Sequence, residues 1–124
     1  MAILKTFCVV ALAWGLAASA LTEAPSATRR VPQFENESVR VWRSHIAPGQ
    51  PLSLHRHDHG RVIVALRGGT LKIVKEGGDS RTVTWETGSA YWLPADPPGK
   101  RHGDLNEGTE PIEVMIVELA PRTP

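Results

Sequence analysis

Past Gln33 the chain alternates apolar and polar residues with a period of two, and no segment after residue 20 sustains a helical period. Val39 and Val41 alternate with Arg40 and Trp42 until Pro48-Gly49 breaks the run. Arg61 to Arg67 is a β-branched stretch that stops at Gly68-Gly69, and Thr70 to Lys75 resumes with Leu71 and Ile73 on one face. The cluster Glu76-Gly77-Gly78-Asp79-Ser80 then turns the chain into Arg81 to Trp85, as in a hairpin. Gly88 opens Ala90 to Leu93, and Ile112, Val114 and Ile116 alternate with Glu113 and Met115 in a last strand. About eight short strands with turns every 8–12 residues predict an all-β sandwich or barrel.

The N-terminus has a different pattern. Met1 to Lys5 carries one positive charge, Thr6 to Leu16 is almost continuously apolar, and Ala18-Ser19-Ala20 has the small residues of a cleavage site. The apolar run is shorter than the roughly 20 residues that a spanning helix needs. Residues 1–20 are therefore read as an export signal, residues 21–35 as a flexible leader and residues 36–120 as the barrel domain. Pro25, Arg29, Arg30 and Pro32 offer no apolar period, and the Arg29-Arg30 pair reads as a solvated surface feature. Export places the mature protein in the periplasm or outside the cell.

Composition supports one ordered domain. The 124 residues are 41% hydrophobic and 22% charged, which excludes a charge-rich disordered chain, and 11 Gly with 10 Pro suit many turns. Removing residues 1–20 takes away Lys5 alone among charged residues, leaving 13 basic against 13 acidic groups. Nothing in that balance points to nucleic acid or an anionic membrane. Cys8, the single cysteine, goes with the signal, so disulfide and thiol chemistry are not expected.

Histidines carry the candidate chemistry. On an extended strand His55 and His57 face the same way, with Cα atoms about 6.5–7 Å apart, so both imidazoles can reach one ion. His59 has the same parity but lies about 13 Å from His55 along a flat strand. It joins them only if Asp58-His59-Gly60 bends the chain. Two of the three can chelate, and the third is an outer or exposed group. His45, alone on its strand, reads as a hydrogen-bonded or surface residue. Trp42 and Trp85 are core material first of all. Trp92 would cap a pocket if its parity pointed inward.

Two gapped patterns give the histidines a context. Gly49, five residues, His55, one residue, His57, three residues, Arg61, six residues and Gly68 resemble the first cupin motif, except that Arg61 stands where the family has a metal-binding glutamate. Gly88, five residues, Pro94, then Pro97-Pro98-Gly99-Lys100-Arg101-His102 and, three residues later, Asn106 resemble the second motif with about three extra residues after Pro94. The resemblance implies a double-stranded β-helix, or jelly-roll barrel, with its site in the barrel mouth. It also implies that His55, His57 and His102 are ligands of a divalent transition metal such as Fe, Mn, Ni or Zn, and that the barrel pairs as a homodimer.

Arg61 is the departure that matters for function. With three imidazoles and a carboxylate, a divalent ion has a local formal charge of +1; with a guanidinium in the carboxylate's place the sum is +3. Two readings follow. In one, the histidines hold a metal and Arg61 anchors the carboxylate of a small acid, with dioxygenase, decarboxylase or isomerase chemistry implied by the resemblance. In the other, a non-catalytic, metal-poor barrel binds or senses a small anionic ligand with Arg61 and imidazoles of lowered pKa. Arg61 either faces the pocket or turns away to pair with a carboxylate such as Asp58 or Glu118.

Overall fold

The computed structural model describes residues 27–121. Within them the chain forms nine strands and no helix: β1 (Arg29–Glu35), β2 (Val39–Ile46), β3 (Leu52–His55), β4 (Arg61–Arg67), β5 (Gly69–Lys75), β6 (Ser80–Trp85), β7 (Ala90–Leu93), β8 (His102–Leu105) and β9 (Ile112–Leu119). They make a five-stranded sheet, β1-β2-β9-β4-β7, and a four-stranded sheet, β3-β8-β5-β6. Every strand pairing is antiparallel. The chain changes sheet at every connection from β2 to β9 except β5 to β6, which gives the expected double-stranded β-helix.

Alternation puts the core between the sheets. Trp42 and Ile46 of β2, Ile63 and Ala65 of β4, Leu71 and Ile73 of β5, Trp85 of β6, and Ile112, Val114 and Ile116 of β9 form one buried cluster. Two of these inward rows continue toward one end of the barrel with charged residues. Arg61 has the parity of Ile63 and Ala65 on β4, and Glu118 extends the row of Ile112, Val114 and Ile116 on β9. The two are register partners. Period two thus delivers a guanidinium and a carboxyl into the barrel mouth.

The leader expected over residues 21–35 is corrected in its second half. Arg29–Glu35 is an edge strand paired with β2, and a bulge interrupts the register between Pro32 and Phe34. Its signal was weak because six of its seven residues are exposed, so no apolar period exists to read. Proline is tolerated there because the strand has only one neighbour. Asn36 closes the hairpin by accepting the backbone N–H groups of Ser38 at 2.8 Å and Val39 at 3.0 Å. The export signal read at residues 1–20 lies outside the described residues.

Asn106 ties a turn together through its side-chain amide. Its Nδ2 donates to the carbonyls of Ile46 at 3.0 Å and Glu110 at 2.7 Å, and its Oδ1 accepts Gly108 N–H at 2.9 Å. Trp92 has the outward parity: it is 59% exposed and lies against Gly60, while Tyr91 and Leu93 face the core. It does not cap the pocket.

Candidate functional site

Strand β3 ends at His55, so His57 is presented by the following loop and not by strand parity. The loop is held by a reciprocal pair of bonds: His57 N–H donates to Asp96 Oδ2 at 2.7 Å, and Asp96 N–H donates to the His57 carbonyl at 2.8 Å. On the other side, His55 and His102 are cross-strand partners on β3 and β8. The three rings meet, with centroids 4.5 Å apart for His55–His102, 5.0 Å for His55–His57 and 5.7 Å for His57–His102. One ligand atom from each lies within 4.8 Å of the other two. His59 is not part of this group. The turn at Asp58-His59-Gly60 does occur, but it does not bring the His59 ring into the cluster.

Two of the rings are oriented by a hydrogen bond at Nδ1, and the third has a carboxylate near that atom. That atom of His55 donates to the Ser53 carbonyl at 2.7 Å, that of His57 donates to Glu118 Oε2 at 2.9 Å, and that of His102 lies 3.4 Å from Asp96 Oδ2. A proton held on Nδ1 leaves the Nε2 lone pair free, which is how metal-binding imidazoles are usually prepared. His55 Nε2 is buried without a hydrogen-bond partner. Buried polar atoms seldom go unmatched, and an unmatched imidazole nitrogen gathered with two further imidazoles suits a cation. The residues present therefore fit a metal ion.

Burial favours the neutral forms of His55 and His57. Burial first, and then the Arg61 charge, pushes the His57 imidazole down to about 2. Burial also lowers His55. Burial raises the carboxyls of Asp104 and Glu118, against the nearby histidines and arginines that favour their ionised forms.

Arg61 faces the pocket. It is 4% exposed, its Nη1 donates to the Pro94 carbonyl at 3.1 Å, and its Nη2 lies 3.9 Å from Asp96 Oδ1. Neither carboxylate suggested by sequence takes it in a direct pair: Asp58 pairs with Arg56, and Glu118 with His57. Arg61 Nε is buried without a hydrogen-bond partner. Burial lowers the Arg61 guanidinium from its ordinary value, and Asp96, Glu118 and Asp104, from other segments, act against that by favouring its charged form.

Two neighbouring spaces with shared lining residues surround these groups. The inner one, about 30 Å³, touches Arg30, His55, His57, Arg61, His102 and Asp104. It has room for an ion and little else. The outer one, about 540 Å³, shares Arg61 and His102 with it and adds Lys75, Arg81, Lys100 and Arg101. That volume is in the range of small-molecule pockets. Here five basic side chains oppose three acidic ones, Glu76, Asp79 and Asp96. Sequence reading missed Arg30, Asp96 and Asp104. Arg30 lies over the Trp42 ring, 5.5 Å from its centroid, in a strand with no apolar pattern. Asp96 sits in the extra residues after Pro94, and the insertion itself was a signal. Asp104 follows His102 by two, a same-face pattern on β8 that could have been found.

No family model matches the chain. A curated relative, the beta-alanine degradation protein BauB of Pseudomonas aeruginosa, is 36% identical over 86 residues, covering 69% of this chain and 84% of the relative. Among solved structures, a cupin domain from Bordetella pertussis Tohama I superimposes with a TM-score of 0.68 at 24% identity, over 79% of this chain and 98% of that one. An RmlC-like cupin with a double-stranded β-helix from Methanocaldococcus jannaschii gives 0.60 at 12% identity, over 80% and 84%. A double-stranded β-helix protein from Klebsiella pneumoniae gives 0.56 at 24%, over 80% and 90%. With both motifs in sequence, the double-stranded β-helix and a relative at this identity, the chain belongs to the cupin family.

Proposed function

We infer that this cupin holds one divalent transition metal on His55, His57 and His102 and binds a small anionic molecule, a carboxylate, in the outer pocket, doing so outside the cytoplasm once the signal at residues 1–20 is removed. The observation that carries this reading is the convergence of three imidazoles, with a partner at each Nδ1 and with His55 Nε2 buried and unmatched. A metal ion bound there supplies a Lewis acid with coordination positions open to an oxygen donor. The protein's own groups do the rest. Ser53 and Glu118 hold the His55 and His57 rings in one tautomer and orientation, and Asp96 stands beside His102 Nδ1. Arg61, at the junction of the two spaces, offers Nε and its outer nitrogens to a carboxylate, whose fork a guanidinium matches. Lys75, Arg81, Lys100 and Arg101 favour negative charge along the outer wall. The relative's name places it in beta-alanine degradation; β-alanine is a zwitterion whose carboxylate end Arg61 would hold.

Metal analysis of protein exported and purified without a histidine tag tests the reading. We expect close to one ion of Fe, Mn, Ni or Zn per chain, lost in His55→Ala and in His102→Ala. Folded protein that neither retains nor takes up any of these ions would overturn it in favour of a metal-poor binding barrel.

Arg61→Gln separates the two halves of the site. Losing a charged, forked anchor should weaken binding of short carboxylates, β-alanine and propionate among them, by about 10- to 100-fold, since hydrogen bonds to charged groups contribute about 1.5–3 kcal/mol. Metal content should hold or rise, because a neighbouring positive charge is gone. Calorimetric titration of both proteins checks this, and equal carboxylate affinity would remove Arg61 from the anchor role.

A further inference from the structure

Replacing the motif glutamate by Arg61 leaves the family's fourth donor missing from β4, yet three carboxyls stand close to the histidines. They divide according to which ring nitrogen they approach. Glu118 meets His57 Nδ1 at 2.9 Å, and Asp96 approaches His102 Nδ1 at 3.4 Å, so both lie behind the rings. Asp104 lies in front. Its Oδ2 is 3.7 Å from His55 Nε2 and its Oδ1 is 3.9 Å from His102 Nε2.

Those separations are too long for hydrogen bonds, which fall near 2.7–3.2 Å. They come close to another distance. Two donor atoms each about 2.1 Å from one ion, at the angles of a tetrahedral or trigonal site, stand about 3.4–3.6 Å apart. Among the described residues no lysine or arginine nitrogen forms an ion pair with Asp104, so it is not taken up as a counter-ion by direct contact. Its side chain is only 13% exposed. A carboxyl largely withdrawn from water thus has its nearest charged or ionisable partners in the Nε2 atoms of His55 and His102, at separations suited to a shared ion, with His57 further off.

We propose that Asp104 is the carboxylate ligand of this site, moved from the β4 position now held by Arg61 to the β8 position two residues beyond His102. The backbone accounts for the placement. Residues two apart on a strand share a face, so His102 and Asp104 look the same way, and the pairing of β3 with β8 sets His55 beside them. One oxygen ligand and three nitrogen ligands are thereby retained, while the vacated position becomes a cationic anchor. The inference rests on the three-histidine reading above and adds a residue to it.

The test is Zn²⁺ and Co²⁺ affinity, by competition with a chromophoric chelator, in the native protein, Asp104→Asn and Asp104→Cys. Asparagine keeps the shape and removes the charge. Losing an outer group behind a ligand already costs about 10- to 100-fold in affinity, so losing a direct ligand should cost about 100-fold or more. With Co²⁺ bound, Asp104→Cys should show a thiolate-to-cobalt charge-transfer band that the native protein lacks, a signature that arises only when residue 104 touches the ion. Thermal melts of the metal-free variants check that each is folded. If the native protein binds and Asp104→Asn binds within a few-fold of it, with no such band in the cysteine variant, the proposal fails and the three-histidine site stands. If the folded native protein binds neither ion, both fall together.

Discussion

Alanine at Gly68 is expected to destabilise the barrel by about 3 kcal/mol or more, at the upper end of overpacking costs. The added methyl would collide with the Trp85 carbonyl oxygen and stand 2.8 Å from the Thr87 nitrogen. Both are backbone atoms, so no side-chain rotation relieves the clash. The corner cannot readily move either. Gly68 N–H donates to Thr87 Oγ1 at 2.9 Å, Ala65 N–H to the Ser89 carbonyl at 2.9 Å, and Gly88 N–H to the Ala65 carbonyl at 2.7 Å. Here the chain leaves the five-stranded sheet for the four-stranded one, and the close approach is how it crosses. The glycine is thus required by crowding, since its φ is not among the positive ones. For a domain of this size each kcal/mol shifts Tm by roughly 4–8 °C, so a thermal melt should show a fall of more than about 12 °C. A change of only a few degrees would mean that the corner yields.

The metal-free protein is expected to lose about 2 kcal/mol of stability from His57 alone when the pH drops from 7 to 5. Its imidazole titrates at about 2 in the folded chain and near 6.5 when unfolded. Between these values the unfolded state binds the extra proton, so stability rises with pH there, by about 1.4 kcal/mol per unit. The contribution is complete above about 6.5 and is lost progressively below it. His55, also lowered by burial, acts in the same direction. The raised carboxyls of Asp104 and Glu118 act in the opposite one, because the folded state holds their protons more tightly. Denaturant titrations at both pH values, with chelator present, should therefore be compared with His57→Gln, whose pH dependence should be shallower by that amount. Parallel curves for the two proteins would show that His57 is not held neutral. A ring kept neutral into acid is also one that keeps a lone pair for a cation, so the stability cost and the binding chemistry share one cause.

Some of this was legible early because it depends on local periodicity. Strands β4, β6 and β7 were placed within a residue or so of their bounds, since the alternation of a half-buried strand is written in its own residues. The paired motifs singled out His55, His57 and His102, and the structure brings those three together. Other features had no local pattern to betray them. Strand β1 is held by backbone bonds to β2 while most of its side chains face solvent, so Arg30 read as surface although it reaches the inner space. His57 was placed by strand parity, but a two-bond clamp to Asp96 holds it beyond the end of β3. Trp92 faced either way on paper, and only the packing of Tyr91 and Leu93 on the core decided it.

The order of residues was enough for the barrel, through alternation along single strands, and for its three imidazoles, through the resemblance of two spaced motifs to a known pair. It left open what surrounds the imidazoles. Asp96, Asp104 and Glu118 come from a loop and two strands distant from His55 in the chain, and their roles differ by which nitrogen of which ring each one approaches. That is settled by the register between strands and the path of one inserted loop. Electrostatic balance around Arg61 is a sum over neighbours in space, and a chain read in one dimension does not say who the neighbours are.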